Sequence, residues 1–163
     1  MMDLIMGLIE DYDLDINNIY NLQQIINIVN ENKCEDEVIN IILNKDFKHK
    51  NTILNNLAVI AFDNKIYDIV IPFLQASYEL DPHDIDTLYN FSFFLLTLGE
   101  NELATRFLNE LLLVLKITDN KELIKEIEMN CKFQKILNNN INNEELTLKQ
   151  LEQKLSLKYN VTN

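Results

Sequence analysis

The chain has 163 residues, enough for one globular domain with a hydrophobic core of its own. Its formal net charge of −12 at pH 7 argues against nucleic acid and against an anionic membrane surface as partners, because both would repel it. Two glycines and two prolines are too few for the turns and glycine loops of β-sandwich or Rossmann-type folds, so the composition favours an all-α protein.

Apolar residues at helical spacing predict seven helices before an amphipathic tail. The breaks between them are short and polar, which is typical of antiparallel neighbouring helices. In chain order the predicted helices cover residues 16–31, 38–43, 53–62, 66–80, 88–98, 103–112 and 123–137.

Pro72 conflicts with the fourth of these helices. A proline inside a helix has no N–H to donate and its ring clashes with the preceding turn, at a cost of about 3 kcal/mol. The helix over residues 66–80 is therefore expected either to bend near Asp68 or to begin later than its apolar pattern indicates.

Targeting and redox signals favour a cytoplasmic location. No apolar run reaches the roughly 18 residues of a membrane span, and residues 1–10 lack the basic region of a signal peptide. Cys34 and Cys131 lie far apart and match no metal-binding or redox spacing, so we expect reduced thiols.

Self-alignment of the chain reveals an internal repeat with an offset of 34 residues. The offset places residues 51–84 on residues 85–118, and each segment has the pattern of a helix, a turn and a helix. Large apolar, small, amide and turn positions coincide in the two segments. The matching pairs are Leu54 with Leu88, Asn56 with Asn90, Leu57 with Phe91, Ala58 with Ser92, Lys65 with Gly99, Val70 with Ala104 and Leu74 with Leu108.

Both segments resemble the tetratricopeptide repeat, a family of helix pairs with this period. The first segment ends in ELDP at residues 79–82, which is similar to the close of the family's second helix. The second has Gly99 and Ala104 at the family's turn and small positions, whereas Val70 and Asn101 depart from the family pattern. The resemblance implies an all-α solenoid of antiparallel helix pairs, a right-handed superhelix of about seven or eight helices.

The resemblance also implies a repeat domain over residues 1–137. Residues 16–45 would supply a further helix pair, and residues 119–137 a capping helix. Residues 138–163 follow as an asparagine-rich linker and an amphipathic C-terminal helix. We expect this last helix to dock on the cap, with exchange into the groove of a second copy as the alternative. Its apolar stripe consists of Leu148, Leu151 and Leu155.

Catalytic and metal-binding motifs are missing from the sequence. It contains no phosphate-binding glycine loop, nucleophile elbow, HExxH site or paired-cysteine site. His49 lies in a polar connection and His83 follows a proline in a repeat turn, so we expect both side chains to be solvated. The prediction is a protein that is not an enzyme and that takes no cofactor and no metal.

In tetratricopeptide proteins the first helix of each pair lines a concave groove, and the resemblance transfers that role to two segments here. Asn56 and Asn90 share one repeat position, and a side-chain amide can both donate to and accept from a peptide backbone. Asparagine is common in this chain, so chance placement is the competing interpretation. The groove positions carry no Lys or Arg, which disfavours the co-chaperone subtype that clamps a carboxylate. The predicted partner-binding residues are Asn55, Asn56, Val59, Tyr89, Asn90 and Phe93.

The leading functional hypothesis is a protein–protein interaction module that holds a peptide or a partner helix and is itself a monomer or a weak homodimer. The alternative is an accessory segment of an enzyme assembly. Tetratricopeptide segments accompany glycosyltransferases in low-GC bacteria, and this chain is similar to such a segment.

Overall fold

A computed structural model describes residues 1–130 and Phe133. In this part of the chain every regular element is an α-helix, which confirms the all-α prediction, and none of the helices is long and apolar enough to cross a membrane. The helices are α1 (Met2–Leu14), α2 (Ile19–Asn32), α3 (Glu35–Asn44), α4 (Lys50–Asp63), α5 (Tyr67–Leu80), α6 (Ile85–Thr97), α7 (Asn101–Ile117) and α8 (Lys121–Met129).

The first helix is a correction to the sequence prediction, which begins its helices at residue 16. Acidic residues such as Asp3 and Glu10 interrupt the apolar run of this segment, but they lie on its exposed side. The apolar positions recur at three- and four-residue spacing, and this spacing is the signal that identifies the helix. The buried stripe of α1 consists of Ile5, Leu8, Ile9 and Tyr12.

Contacts divide the chain into two compact units that follow one another at Asp81 and Pro82. The N-terminal unit, residues 1–81, contains α1 to α5, and the C-terminal unit begins at Pro82 and contains α6 to α8. The two predicted repeats therefore fall in different units. The predicted linker and C-terminal helix, residues 138–163, lie outside the described residues.

In the N-terminal unit, α4 and α5 form an antiparallel pair. Near the start of α4, Asn51 Nδ2 lies 2.9 Å from the hydroxyl oxygen of Ser77, near the end of α5. At the other end, the rings of Phe62 and Tyr67 approach to 5.6 Å between centroids. Opposite ends of the two helices therefore meet. The fully or almost fully buried residues of the pair include Leu54, Leu57, Ala58, Ala61, Phe73 and Leu74.

The remaining helices of this unit pack around that pair. Helix α3 contacts α4 and α5, and α2 contacts α1 and α4. Near the two ends of α2, Gln23 accepts a hydrogen bond from Asn64 at 3.0 Å, and Lys33 lies 3.8 Å from Asp68. Both partners flank the α4–α5 turn, so α2 lies across that turn. The helix pair predicted for residues 16–45 is therefore replaced by two helices whose main contacts are with other elements.

In the C-terminal unit, α6 packs on α7, and α8 packs on α7. The rings of Phe91 and Phe107 stack with 4.5 Å between centroids and an interplanar angle of 3°. Ser92 and Ala104 are fully buried, as their small size in the repeat pattern predicts. The Ser92 hydroxyl donates to the carbonyl of Leu88 at 2.7 Å, which satisfies its polar group inside the helix.

The same turn closes the first helix of both pairs. Lys65 has a φ of 61° and Gly99, which follows it by the repeat offset, has a φ of 79°. In each case the next residue donates its N–H to a carbonyl five residues back: Ile66 to Ala61 at 2.8 Å and Glu100 to Leu95 at 2.9 Å. This is a Schellman cap, in which a left-handed residue satisfies the last carbonyls of a helix. The turn assigned to Gly99 is confirmed.

Pro72 lies inside α5, which begins at Tyr67 and continues through it to Leu80. This start is only one residue later than the apolar pattern indicates, so a later start does not remove the proline from the helix interior. Because proline has no N–H, the bond from residue 72 to the carbonyl of Asp68 is absent while the helix persists. Burial of flanking residues such as Ile71 and Phe73 supports the helix at this point.

Substitution of the two glycines of the chain by alanine should change the stability in opposite directions, because only Gly99 has a left-handed backbone conformation. An added Cβ meets no atom within 4 Å at either Gly7 or Gly99, so the backbone alone decides the effect of a substitution. We expect Gly99→Ala to lower the free energy of unfolding by about 1 kcal/mol, since a left-handed φ is costly for an L-residue. Gly7→Ala, inside α1, should raise it by about 0.5–1 kcal/mol. Urea unfolding of both variants measures this, and shifts of the same sign would contradict the turn.

Candidate binding surface

The predicted binding residues of the N-terminal unit lie along one line of α4. Asn56 is half-buried, Val59 is 37% exposed, and Phe62 is half-buried one further step along the helix. Residues three apart are neighbours on a helix surface. The exposed Tyr67 continues the line, because its ring packs on that of Phe62. We call Asn56, Val59, Phe62 and Tyr67 the α4 strip.

Asn56 has hydrogen-bonding capacity beyond its contact inside the protein. Its Nδ2 donates to the hydroxyl of the fully buried Tyr12 at 2.7 Å. A side-chain amide has two N–H donors and an oxygen with two acceptor positions. The bond to Tyr12 fixes the orientation of the amide, and its remaining capacity can serve a ligand.

Asn55 does not belong to this surface, although the sequence places it there. Its side chain is only 2% exposed, and its Nδ2 donates to the carbonyl of Asn51 at 2.9 Å and to the hydroxyl oxygen of Ser77 at 3.1 Å. One residue step rotates a helix position by about 100°, which carries Asn55 into the contact with α5. It stabilises the helix pair.

The predicted residues of the C-terminal unit lie on α6, where Tyr89, Asn90 and Phe93 are all half-buried. The rings of Tyr89 and Phe133 meet edge to face at 5.8 Å between centroids. Phe133 is itself fully buried, and its ring covers part of this face of α6. The two repeats therefore differ in how much of the predicted face they present.

A contact that sequence reasoning missed joins the end of α1 to the start of α4. The carboxylate of Asp13 accepts hydrogen bonds from the backbone N–H groups of Lys48 at 3.0 Å and His49 at 2.9 Å. His49 Nδ1 lies 3.0 Å from the same carboxylate. Because an ionised carboxylate can only accept, Nδ1 carries the proton of this bond. We call Asp13, Lys48 and His49 the latch. His49 is therefore paired with Asp13 although its side chain is 40% exposed, so the expectation of a solvated side chain missed the pairing.

The latch changes the acidity of Asp13. Burial by itself would raise its pKa, but the N–H groups of Lys48 and His49 and the His49 ring stabilise the charged carboxylate. The net effect is a pKa below the usual value of an aspartate. Asp13 is accordingly ionised at neutral pH, and folding stability depends on that charge.

An open cleft of about 410 Å³ lies beside the latch. Its walls carry more negative than positive charge, with Glu10, Asp13 and Asp46 against Lys45. The apolar lining consists of Leu14 and Phe47. The cleft thus combines two apolar side chains with a predominantly acidic wall.

Exposed apolar side chains continue from Leu14 through the α1–α2 connection into the first turn of α2. Leu14 is 86% exposed and Tyr20 is 69% exposed, and Ile16 and Ile19 between them are also exposed. The sequence pattern places Ile16, Ile19 and Tyr20 in one helix. Ile19 and Tyr20 are helical, at the start of α2, whereas Ile16 precedes the helix. We call Leu14, Ile16, Ile19 and Tyr20 the α1–α2 corner.

Cys34 is a buried free thiol at the start of α3. Burial raises its pKa, and the carboxylates of Glu37 and Glu35 raise it further. A thiol with a raised pKa is a poor nucleophile, since the thiolate is the reactive form. Cys34 therefore has a packing role, and Cys131 lies outside the described residues.

Comparison with protein-family models, curated proteins and solved structures gives no match to this chain. The resemblance to the tetratricopeptide repeat accordingly rests on the residues and turns described above.

The latch predicts a pH-dependent contribution to stability. Because the folded pKa of Asp13 is lowered, its stabilisation is complete above the unfolded pKa of about 3.9 and is lost as the pH falls through the folded value. At pH 7 we expect Asp13→Asn to lower the free energy of unfolding by about 1–2 kcal/mol. The difference from the unsubstituted protein should shrink once the pH is below about 4.

The matched control is Asp11→Asn, on the exposed side of the same helix. It should change the free energy of unfolding by less than about 0.5 kcal/mol at either pH. Urea unfolding at neutral and at acidic pH measures both variants. Equal effects of the two substitutions, or a difference that does not change with pH, would rule out the latch as a source of stability.

Proposed function

We propose that this chain is a non-catalytic protein-binding module that holds a peptide or a partner helix on the α4 strip. The observation that carries the proposal is the amide of Asn56, which is oriented by Tyr12 and retains hydrogen-bonding capacity next to the exposed side chain of Val59. An oriented amide beside apolar contacts can bind the backbone and a side chain of one segment together.

The support beneath the strip favours binding without rearrangement. Leu54, Leu57 and Ala58, on the other side of α4, are almost entirely enclosed. Asn55 and Asn51 additionally fasten α4 to α5 through Ser77. A site on a helix that is fixed by packing keeps its geometry better than one on a loop, so less entropy is lost when a partner binds.

The architecture that we propose for residues 51–118 is tetratricopeptide-like. Two antiparallel helix pairs, one in each unit, share a Schellman turn at the same repeat position, Lys65 and Gly99. Small side chains at Ala58 and Ser92 are buried in both pairs. These features support the family resemblance, and a family built from such pairs commonly serves in protein recognition.

The charge of the chain narrows the class of partner. A net charge of −12 repels acidic proteins at long range and accelerates encounters with basic ones. The α4 strip itself is made of amide, aliphatic and aromatic groups, so we propose that its contacts with the partner are hydrogen bonds and apolar contacts. The negative electrostatic field of the whole chain then favours a neutral or basic partner.

Affinity capture from the native cell tests this function. We expect a partner that the unsubstituted chain retains to be lost, by about tenfold or more, when Asn56→Ala is combined with Val59→Asp, because a charge in an apolar contact and a missing amide both weaken binding. Leu113→Asp is the matched control, since Leu113 is exposed on α7 and belongs to the other unit.

Circular dichroism first confirms that the variants remain helical. Retention of the same partners by the strip variant and by the control would exclude the α4 strip as the binding surface. If the retained partner is a subunit of an enzyme assembly, the result supports the alternative function, in which the chain is an accessory segment of that assembly and binds it through the α4 strip.

A further inference from the structure

The strongest feature outside the α4 strip is the α1–α2 corner. Its four apolar side chains, Leu14, Ile16, Ile19 and Tyr20, are all exposed and follow one another within seven positions of the chain. Single exposed apolar residues are ordinary on protein surfaces, but a contiguous group of large ones favours an interaction site. The latch holds this end of α1 in place through Asp13.

Carboxylates lie next to the corner along the chain. Glu10, Asp11 and Asp15 are exposed, and none of them forms an ion pair within residues 1–130. Asp15 accepts one hydrogen bond from the backbone of Asn17 at 3.2 Å, which keeps its charge at the corner. The surface therefore presents apolar side chains within a field of negative charge.

The cleft beside the latch adjoins this surface and can receive a side chain of a partner. Leu14 belongs both to the corner and to the cleft, whose lining also includes Phe47. An apolar side chain entering the cleft would contact Leu14 and Phe47 while a cation beside it meets Glu10 or Asp46. Buried apolar anchors with a charged surround are the usual composition of a protein interface.

We propose that the α1–α2 corner binds a basic amphipathic segment of a partner protein. The apolar face of that segment packs on Leu14, Ile16 and Tyr20, and its Lys or Arg side chains pair with Glu10, Asp11 and Asp15. This is a second surface of the N-terminal unit, and it shares no residue with the α4 strip.

Charge complementarity selects this occupant over the others. A second copy of the chain would bring the same three carboxylates against themselves across a symmetric contact, which is unfavourable. An anionic lipid surface is repelled for the same reason. A basic segment instead gains attraction from the carboxylates as it covers the apolar side chains, and removal of apolar surface from water supplies the remaining affinity.

A designed peptide serves as the probe. It contains only leucine and lysine, is about 14 residues or four turns long, and has its leucines on one helical face. A counterpart with glutamate in place of lysine is the charge control. Titration into the full-length ¹⁵N-labelled protein, followed by amide chemical shifts, locates the binding site, and fluorescence anisotropy gives the affinity.

We expect the lysine peptide to shift amides of residues 10–20 and the glutamate peptide to shift none. Leu14→Ser combined with Tyr20→Ser should weaken the binding by about tenfold or more. Glu10→Gln combined with Asp11→Asn should weaken it several-fold at low salt and less at high salt, because exposed charges are screened. Val59→Ser, on the α4 strip, should leave the affinity within about twofold.

Three results would overturn the proposal: no shifts at residues 10–20, equal binding of the glutamate peptide, or equal loss from Val59→Ser and from the corner variant. In the last case the binding is not confined to the corner, so this inference fails, while the proposed function of the α4 strip is not contradicted. Shifts confined to the corner, together with an unaffected α4 strip, support it independently of whether the strip binds a partner.

Discussion

The contact between α4 and α5 is the constraint on which the rest of the N-terminal unit depends. Helices α1, α2 and α3 each pack against one or both members of this pair. Close approach is possible because Ala58 and Ser77 are small, and polar groups at the contact are satisfied because Asn51 and Asn55 donate to Ser77. Since the pair is fixed by both packing and hydrogen bonds, it can present one surface to solvent without losing its arrangement.

The two proposed surfaces lie on the same unit but would bind their partners through different interactions. The α4 strip relies on an amide that Tyr12 orients, and its specificity would come from hydrogen bonds to a peptide backbone. The α1–α2 corner relies on apolar area among carboxylates, and its specificity would come from charge. The latch at Asp13 is the link between them, because it joins the helix that supplies the corner to the helix that carries the strip.

The sequence predicts those features that depend on local pattern. Scarce glycine and proline indicate the all-α class. Gly99 indicates a turn, and the repeat offset of 34 residues transfers that turn to Lys65. The sequence does not predict features that depend on contacts between residues far apart in the chain. Asn55 and Asn56 are adjacent and chemically identical, and only the positions of α5 and α1 decide that the first is enclosed and the second keeps a free side. The latch likewise joins residues with no shared periodicity.

The contact between Tyr12 and Asn56 spans 44 residues of chain, and the latch bond between Asp13 and His49 spans 36. During synthesis from the N-terminus, α1 leaves the ribosome long before its partner on α4. At translation rates of about 5–20 residues per second, that interval is roughly 2–9 s. Helix formation takes about a microsecond, so α1 can form and unfold many times in this interval, but a 13-residue helix is only marginally stable in water before α4 packs against it. Charge repulsion between the acidic residues of α1 disfavours association of its apolar face with that of another chain in this interval.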